Sequence, residues 1–413
     1  MTKYIDLLRE HQQEPDKKKE KKGAKKKSSK LAASQDNPYS AQKDTDKELL
    51  ENMESLLEEQ EEETAQEHML AEESSSPIPG HAELDDVAPT PQANASNAVT
   101  EFGFDVTAWL QTMNQTLLRM FTSVQNNEPI NLSMLDEQLG TLFDQVQTSP
   151  HVLNTLELEI NTQHKANIDT HTHADLAQKS IMMMLYSIKV GMQLKLQLQE
   201  LLSYVIAAML QHLGMAMVPS SIRHKAEKLS DEEVQHIKQA PQKALEYLHA
   251  HNINHEQLIL SITQSNERYD GSGPEGLEGH DIAWIARLVS LLSMFEALIH
   301  FRPYRQRLLP RDAIREIVKN HKKEFDPEML KALIESISLY PVGTFVQLNT
   351  GEIGQVKSVH VKFPLRPIVY INMDKYGHGI TQREIDLKKQ PNLMIQKCMY
   401  EESIQELTEE HVD

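Results

Sequence analysis

Three long segments are apolar on almost every side of a helix, and they limit the possible folds more than any other feature of this sequence. They run from Ile181 to Met192, from Gln197 to Leu213 and from Ala283 to His300. A helix without a polar face must be covered on all sides, because it would otherwise expose apolar surface to water. The sequence therefore predicts a mainly α-helical protein with these three helices at the centre of a bundle.

Amphipathic helices are expected on both sides of this centre. Apolar residues recur at helical spacing from Val106 to Phe121 and again from Leu132 to Val146. Ser230 is followed by three acidic residues, which is typical of a capped helix start with negative charge near the positive end of the helix dipole. A helix should therefore begin at Asp231, and helices should continue to about Ser338.

After Tyr340 the apolar pattern changes to the period of a β-strand. Val346 and Leu348 alternate with polar residues, and the segment Asn349 to Glu352 has the composition of a turn. A second strand should contain Ile353, Val356 and Val359, and a third should run from Pro367 to Met373. We expect a small C-terminal β appendix of about fifty residues, which is little material for an independent core.

The first hundred residues are dominated by charge. Residues 1–30 contain 10 Lys and 1 Arg against 5 acids, whereas residues 31–100 contain 17 acids against 2 Lys. Too few large apolar residues are present to offset the entropy of ordering, so we expect residues 1–100 to be disordered. They could serve only as solubilising tails, or the lysine run could contact an anionic surface while the acidic segment folds on a partner.

The domain organisation follows from these changes of composition. We predict a charged region that is basic over 1–30 and acidic over 31–100, an N-terminal helical part at 101–160, a helical core at 161–340, a β subdomain at 341–395 and a tail at 396–413.

Charge, cysteine content and hydropathy limit the cellular context. The net charge of −19 argues against general nucleic-acid binding, which requires clustered cations. The single cysteine, Cys398, cannot form an internal disulfide, which favours a reducing compartment such as a bacterial cytoplasm. We expect no signal peptide and no transmembrane segment, and the apolar run Tyr204 to Leu210 is interpreted as a buried helix.

Three motifs occur in an informative order. The first is NERYDGSGPEGL from Asn266 to Leu277, the second is FEALIHFRPYR from Phe295 to Arg305, and the third is YPVGTFVQLNTGEIGQV from Tyr340 to Val356. Together they resemble the HD-GYP family, whose members hydrolyse the bacterial second messenger cyclic di-GMP. The resemblance extends from about Val106 to about Ile371 and implies an HD-type helical bundle.

The resemblance also implies a centre of two or three metal ions held by His and Asp side chains, but other residues stand at those positions. The first ligand histidine corresponds to Lys179, the His-Asp pair to Gln211 and His212, and the lysine that follows the pair to Met215. The next histidine corresponds to Ala240, two adjacent histidines to Ser265 and Asn266, and the last aspartate to Ser293. We therefore expect no catalytic residue, no metal and no cofactor.

The loop that gives the family its name is altered. Gly273 is followed directly by Pro274, so the tyrosine of Gly-Tyr-Pro is absent and the loop is shorter. In the family this loop lies beside the active site and is associated with docking of diguanylate-cyclase domains. Six residues form the corresponding candidate interaction loop: Glu267, Arg268, Asp270, Gly271, Ser272 and Gly273.

The motif Arg302-Pro303-Tyr304-Arg305 is intact. The resemblance implies that Arg302 and Arg305 approach the phosphates of the nucleotide, and the arginine fork suits phosphate geometry. The alternative is that both arginines cap the preceding helix, whose carboxyl end attracts cations.

Three functions follow from this pattern. The leading hypothesis is an inactive HD-GYP-like signalling protein that acts through protein partners, for example a diguanylate-cyclase domain. The second is a receptor that binds cyclic di-GMP without cutting it. The third is an active phosphodiesterase with unusual metal ligands such as His171, His173 and His212. Because a chain with 19 histidines has many on its surface, the cluster of His164, His171 and His173 near Asp169 and Asp175 is interpreted as surface residues.

Overall fold

The computed structural model describes residues 104–163, 173–225, 227–299, 308–337, 340–360 and 363–399. The predicted fold class is confirmed, since helices dominate and a small antiparallel sheet follows them. The helices are α1 (Val106–Gln125), α2 (Ser133–Thr148), α3 (Val152–Gln163), α4 (Ala174–Gln193), α5 (Leu198–Leu210), α6 (Ser220–Arg223), α7 (Asp231–Lys238), α8 (Ala240–Ala250), α9 (Glu256–Gln264), α10 (Trp284–Ile299), α11 (Pro310–His321) and α12 (Pro327–Ser336). Short 3-10 turns occupy Leu213–Met217, Gly279–Asp281, Lys322–Glu324 and Leu387–Lys389. The predicted disorder of residues 1–100 concerns a segment outside the described residues.

The three apolar segments form α4, α5 and α10, as predicted. Nearly every residue of α4 from Leu176 to Gly191 is buried, and so is nearly every residue of α10 from Ile285 to Leu298. In this core the ring of Tyr186 meets the ring of Phe295 edge-on at a centroid distance of 5.1 Å. The helix start at Asp231 is also confirmed. The Ser230 hydroxyl accepts from the backbone of Glu233, and the Glu233 side chain accepts from the backbone of Ser230.

The C-terminal sheet contains β1 (Phe345–Leu348), β2 (Ile353–His360), β3 (Phe363–Met373), β4 (Gly379–Asp386) and β5 (Ile395–Met399) in the antiparallel order β4-β3-β2-β1-β5. The first three are the predicted strands. Strands β4 and β5 were not predicted. In β4 the first six residues are exposed and show no apolar alternation. One face of the sheet carries an apolar cluster that includes Val346, Val356, Val369 and Ile385.

The described residues group into two compact units. The first contains 111–147 and the described residues from 173 to 337, and the second contains 104–110, 148–163 and those from 340 to 399. The predicted boundaries at residues 100, 160, 340 and 395 stay predictions.

One described stretch, Leu198–Met217, is long and apolar enough to span a membrane by length and composition alone. However, 61% of its most apolar window is buried inside the protein, which is also typical of a core helix. The interpretation of Val205 to Leu210 as buried is confirmed.

Candidate functional site

The first unit contains a pocket of about 850 Å³, counting the part that is open to solvent. The 3-10 turn Leu213–Met217, α8 and the carboxyl end of α9 contribute to its wall. Six of the eight positions at which the resemblance implies other residues line it: Gln211, His212, Met215, Ala240, Ser265 and Asn266. Positions that are up to 55 residues apart in sequence, from Gln211 to Asn266, are therefore brought together in one concave surface.

Two of the eight positions, Gln211 and Ser293, are joined by hydrogen bonds between a side-chain amide and a hydroxyl. Gln211, at the carboxyl end of α5, donates from Nε2 to Oγ of Ser293 in α10 at 2.8 Å. The hydroxyl of Ser293 lies 3.2 Å from Oε1 of Gln211, so the two side chains can exchange both a donor and an acceptor. Gln211 is 5% exposed. The pair is therefore a neutral link between two core helices.

Lys179 forms a second link to the same helix. Its ammonium lies 3.5 Å from Oε2 of Glu296, and the two side chains are 10% and 1% exposed. A buried carboxylate is costly unless a cation compensates it, so the lysine supplies positive charge inside the bundle. Glu296 was not identified from the sequence, because only the packing of α4 against α10 joins residues so far apart in the chain.

These side chains do not fit the metal cluster that the resemblance implies. A protonated lysine has no lone pair, an alanine has no donor atom, and Gln211 and Ser293 already bond to each other. Ligands for such ions are carboxylates and imidazoles that converge on one point. Within the residues that the structure describes, no three His, Cys, Asp or Glu side chains are placed to hold a metal ion.

The pocket also contains two cations that the sequence did not reveal as site residues, and each has a carboxylate partner. Nη1 of Arg223 lies 2.6 Å from both carboxylate oxygens of Asp175. Nζ of Lys225 donates to both carboxylate oxygens of Glu233 at 2.8 Å. The hydrogen bond from Lys225, followed by those from Ser230, holds the pKa of Glu233 below its usual range. Both ion pairs depend on the fold of this unit, and no local motif marks them.

His173 belongs to the same network and is only 6% exposed, so the interpretation of this histidine as a surface residue is wrong. Its Nδ1 accepts from Nη2 of Arg223 at 3.3 Å, and its Nε2 lies 3.0 Å from Oε1 of Gln125. Burial, and then the neighbouring Arg223 cation, lower the pKa of this imidazole. Of the other suggested unusual ligands, His212 lines the pocket and His171 lies outside the described residues.

The candidate interaction loop is held firmly at its base. The buried carboxylate of Glu267 accepts from the backbone N–H groups of Glu275 at 2.9 Å and Leu277 at 3.1 Å. Arg268 bonds to Glu324 at 3.2 Å and to the hydroxyl of Ser290 at 2.9 Å. A Cβ at Gly273 would lie 2.6 Å from Cα of Glu267, so this position requires glycine.

The tip of the loop faces solvent. Asp270 and Ser272 are exposed, and the Asp270 carboxylate accepts from the backbone and the hydroxyl of Ser272 at 3.0 and 2.6 Å. Gly271 has a φ of +79°, a backbone conformation that favours glycine. The six predicted loop residues thus form one local turn, whereas Arg302 and Arg305 lie outside the described residues.

Comparison with known proteins finds two family matches in the sequence. Residues 156–329 match the HD domain family, and residues 345–407 match the family described as a KOW domain associated with HD domains. A cyclic di-GMP phosphodiesterase of Pseudomonas aeruginosa is 30% identical over 186 residues, which is 44% of either chain. The phosphodiesterase PdeB of Borreliella burgdorferi is 30% identical over 179 residues, 43% of this chain and 46% of that protein.

This chain therefore matches less than half the length of these two curated relatives. Among solved structures, an HDG"Y"P protein from Bdellovibrio bacteriovorus is 16% identical, with a TM-score of 0.45 over 56% of this chain and 72% of that one. The match of residues 156–329 to the HD domain family and the phosphodiesterase relatives confirm the resemblance to the HD-GYP family that the three motifs carry.

Proposed function

We propose that this protein is a non-hydrolysing HD-GYP-type regulator that acts through protein partners in cyclic di-GMP signalling in the bacterial cytoplasm. The observation that carries the proposal is the pair of links to α10, Gln211 with Ser293 and Lys179 with Glu296. In the HD-GYP family that the chain resembles, metal ions generate the hydroxide that attacks the phosphodiester. At these positions the side chains contact one another. The described residues therefore provide no set of metal ligands for that step.

The firm base of the candidate interaction loop supports a role in protein recognition. Glu267 and Arg268 fix the backbone on both sides of the turn, while Asp270 and Ser272 remain exposed at its tip. A surface that is ordered before binding loses little conformational entropy when a partner docks. A diguanylate-cyclase domain is the partner that we would test first.

The activity test uses the full chain, purified and loaded separately with Fe²⁺ and Mn²⁺. We expect less than one bound metal ion per chain and no turnover of cyclic di-GMP, because the converging ligands are missing. Stoichiometric metal together with turnover would show that the protein is an enzyme with unusual ligands and would overturn the proposal.

The interaction test compares the full chain with a chain lacking residues 1–100 in titrations with a purified diguanylate-cyclase domain. Asp270→Lys should weaken the complex because it reverses a charge at the loop tip, whereas Asp312→Lys on α11 provides a matched control. Equal binding by both variants and the wild type would remove this loop from the proposed interface.

A second candidate is a cyclic di-GMP receptor. It is favoured by the open pocket at the family site and by the intact Arg302 and Arg305. Calorimetry with cyclic di-GMP tests it directly, and Arg302→Ala should abolish binding if this arginine holds a phosphate. A flat titration of the wild type would exclude the receptor.

A further inference from the structure

We propose that the pocket binds a neutral, planar nitrogen heterocycle, such as a purine nucleoside, in place of a phosphodiester anion. This inference rests on the proposed function, because a pocket without metal ions has lost the charges that attract phosphate. It assigns a ligand class to the side chains that now line the pocket.

The charges around the pocket are already compensated. Arg223 and Lys225 are the arginine and the lysine among the described lining residues, and each is paired with a carboxylate. The Arg223 side chain is 3% exposed and Lys225 is 30% exposed. A phosphate group would have to compete with Asp175 and Glu233 for these cations, whereas a neutral ligand leaves both pairs intact.

Two polar side chains in the wall have hydrogen-bonding capacity to spare. Within the described part of the chain, neither the hydroxyl of Ser265 nor the side-chain amide of Asn266 is engaged in a hydrogen bond. The backbone of Asn266 is fixed, since its carbonyl accepts from Arg268 at 3.3 Å. A carboxamide offers a donor and an acceptor side by side, which matches the edge of a purine base.

The remaining wall is mostly apolar and suits the faces of a ring. Four residues with branched or cyclic side chains stand around the polar groups: Ile222, Ile237, Pro241 and Ile262. Met215 adds a thioether, which makes favourable contacts with aromatic rings. An apolar wall with a few fixed polar groups is the usual composition of a small-molecule site.

The test is calorimetric titration of the full chain with guanosine and with adenosine at low and high salt. We expect saturable binding of at least one nucleoside, with a Kd that changes less than about twofold with salt because no net charge is neutralised. Asn266→Leu should weaken this binding at least about tenfold, since it removes a donor and an acceptor without a large change of size. Asn320→Leu, at an exposed position of α11, is the matched control and should bind as the wild type does.

Three results would overturn the inference: no binding of either nucleoside, equal binding by Asn266→Leu with an unchanged unfolding midpoint, or binding of cyclic di-GMP alone that weakens steeply with salt. The last result would support the receptor function instead. Turnover of cyclic di-GMP by metal-loaded protein contradicts the proposed function whether or not a nucleoside binds, so the two failures are distinguishable.

Discussion

The side-chain amide of Gln211 bonds to the hydroxyl of Ser293 at 2.8 Å, although 82 residues separate them in sequence. The bond connects the end of α5 to the middle of α10 at two positions where the resemblance to the HD-GYP family implies metal ligands. A neutral link of this kind holds the two helices together without an ion.

Gln211→Ala should lower the free energy of unfolding by about 1 kcal/mol, because it removes the hydrogen bond to the partly buried hydroxyl of Ser293. Gln242→Ala is the matched control, since Gln242 is exposed on α8 and its side chain bonds to Glu246 within the same helix. We expect the control to change stability by less than about 0.5 kcal/mol. Urea unfolding of both variants measures the difference, and equal stabilities would contradict a structural role for the link.

Lys179→Met should destabilise the fold more strongly, by about 3–5 kcal/mol, because it leaves the Glu296 carboxylate buried without its cation. The double variant Lys179→Met with Glu296→Leu should recover much of this loss, since it removes the buried charge together with its partner. Thermal unfolding of the two variants provides the comparison. A double variant that is less stable than the single one would show that the carboxylate is stabilised by other groups.

Much of this architecture could be predicted because it is encoded by local patterns. Apolar residues on every side identified α4, α5 and α10, and the side chains of Ser230 and Glu233 identified the start of α7. Strand β4 was missed because its first six residues are exposed and it is held by pairing with β3, as in Tyr370 with Glu384. Pairing of that kind leaves no apolar period in the sequence.

The candidate functional site, too, could be predicted from the sequence only in part. The motifs indicated which positions to compare with the family, and six of those positions line one pocket. The partners of these residues could not be predicted, because Glu296, Asp175 and Arg223 meet the site only through packing of distant helices. Hydrogen bonds and ion pairs between distant elements leave no local pattern in the sequence.

A substitution at Gly214 tests how closely two backbone segments pack behind the pocket. A Cβ at this position would lie 1.8 Å from the carbonyl oxygen of Ala240, so Gly214→Ala must move the backbone of the 3-10 turn or of α8. We expect a loss of about 1–3 kcal/mol in the free energy of unfolding. Gly140→Ala is the control, because no described side chain or neighbouring element has a heavy atom within 4 Å of its Cβ and alanine favours the helix by up to about 1 kcal/mol. Denaturant unfolding should shift the two variants in opposite directions, and a shared direction would refute the close approach.

His255 gives the fold a dependence on pH. The residue caps α9, where its Nδ1 accepts from the backbone N–H of Leu258 at 3.2 Å, and protonation of that nitrogen would remove the acceptor. Burial lowers the pKa of His255 below the ordinary value of 6.5, although the charge of Asp136 opposes the shift. Because the unfolded chain then binds the proton more readily than the folded one, the stabilising contribution is complete above about pH 6.5 and is lost as pH falls through the folded-state pKa.

His255→Asn should keep the cap, since asparagine is a preferred residue at this position, and should remove the titration. We expect the free energy of unfolding of this variant to fall less than that of the wild type between about pH 7.5 and pH 5, the range that spans the ordinary histidine pKa. Part of the slope should remain, because the pKa of His173 is lowered as well. Urea unfolding at several pH values gives both curves. Parallel curves would mean that protonation of His255 is not coupled to folding, and that the cap tolerates the charged ring.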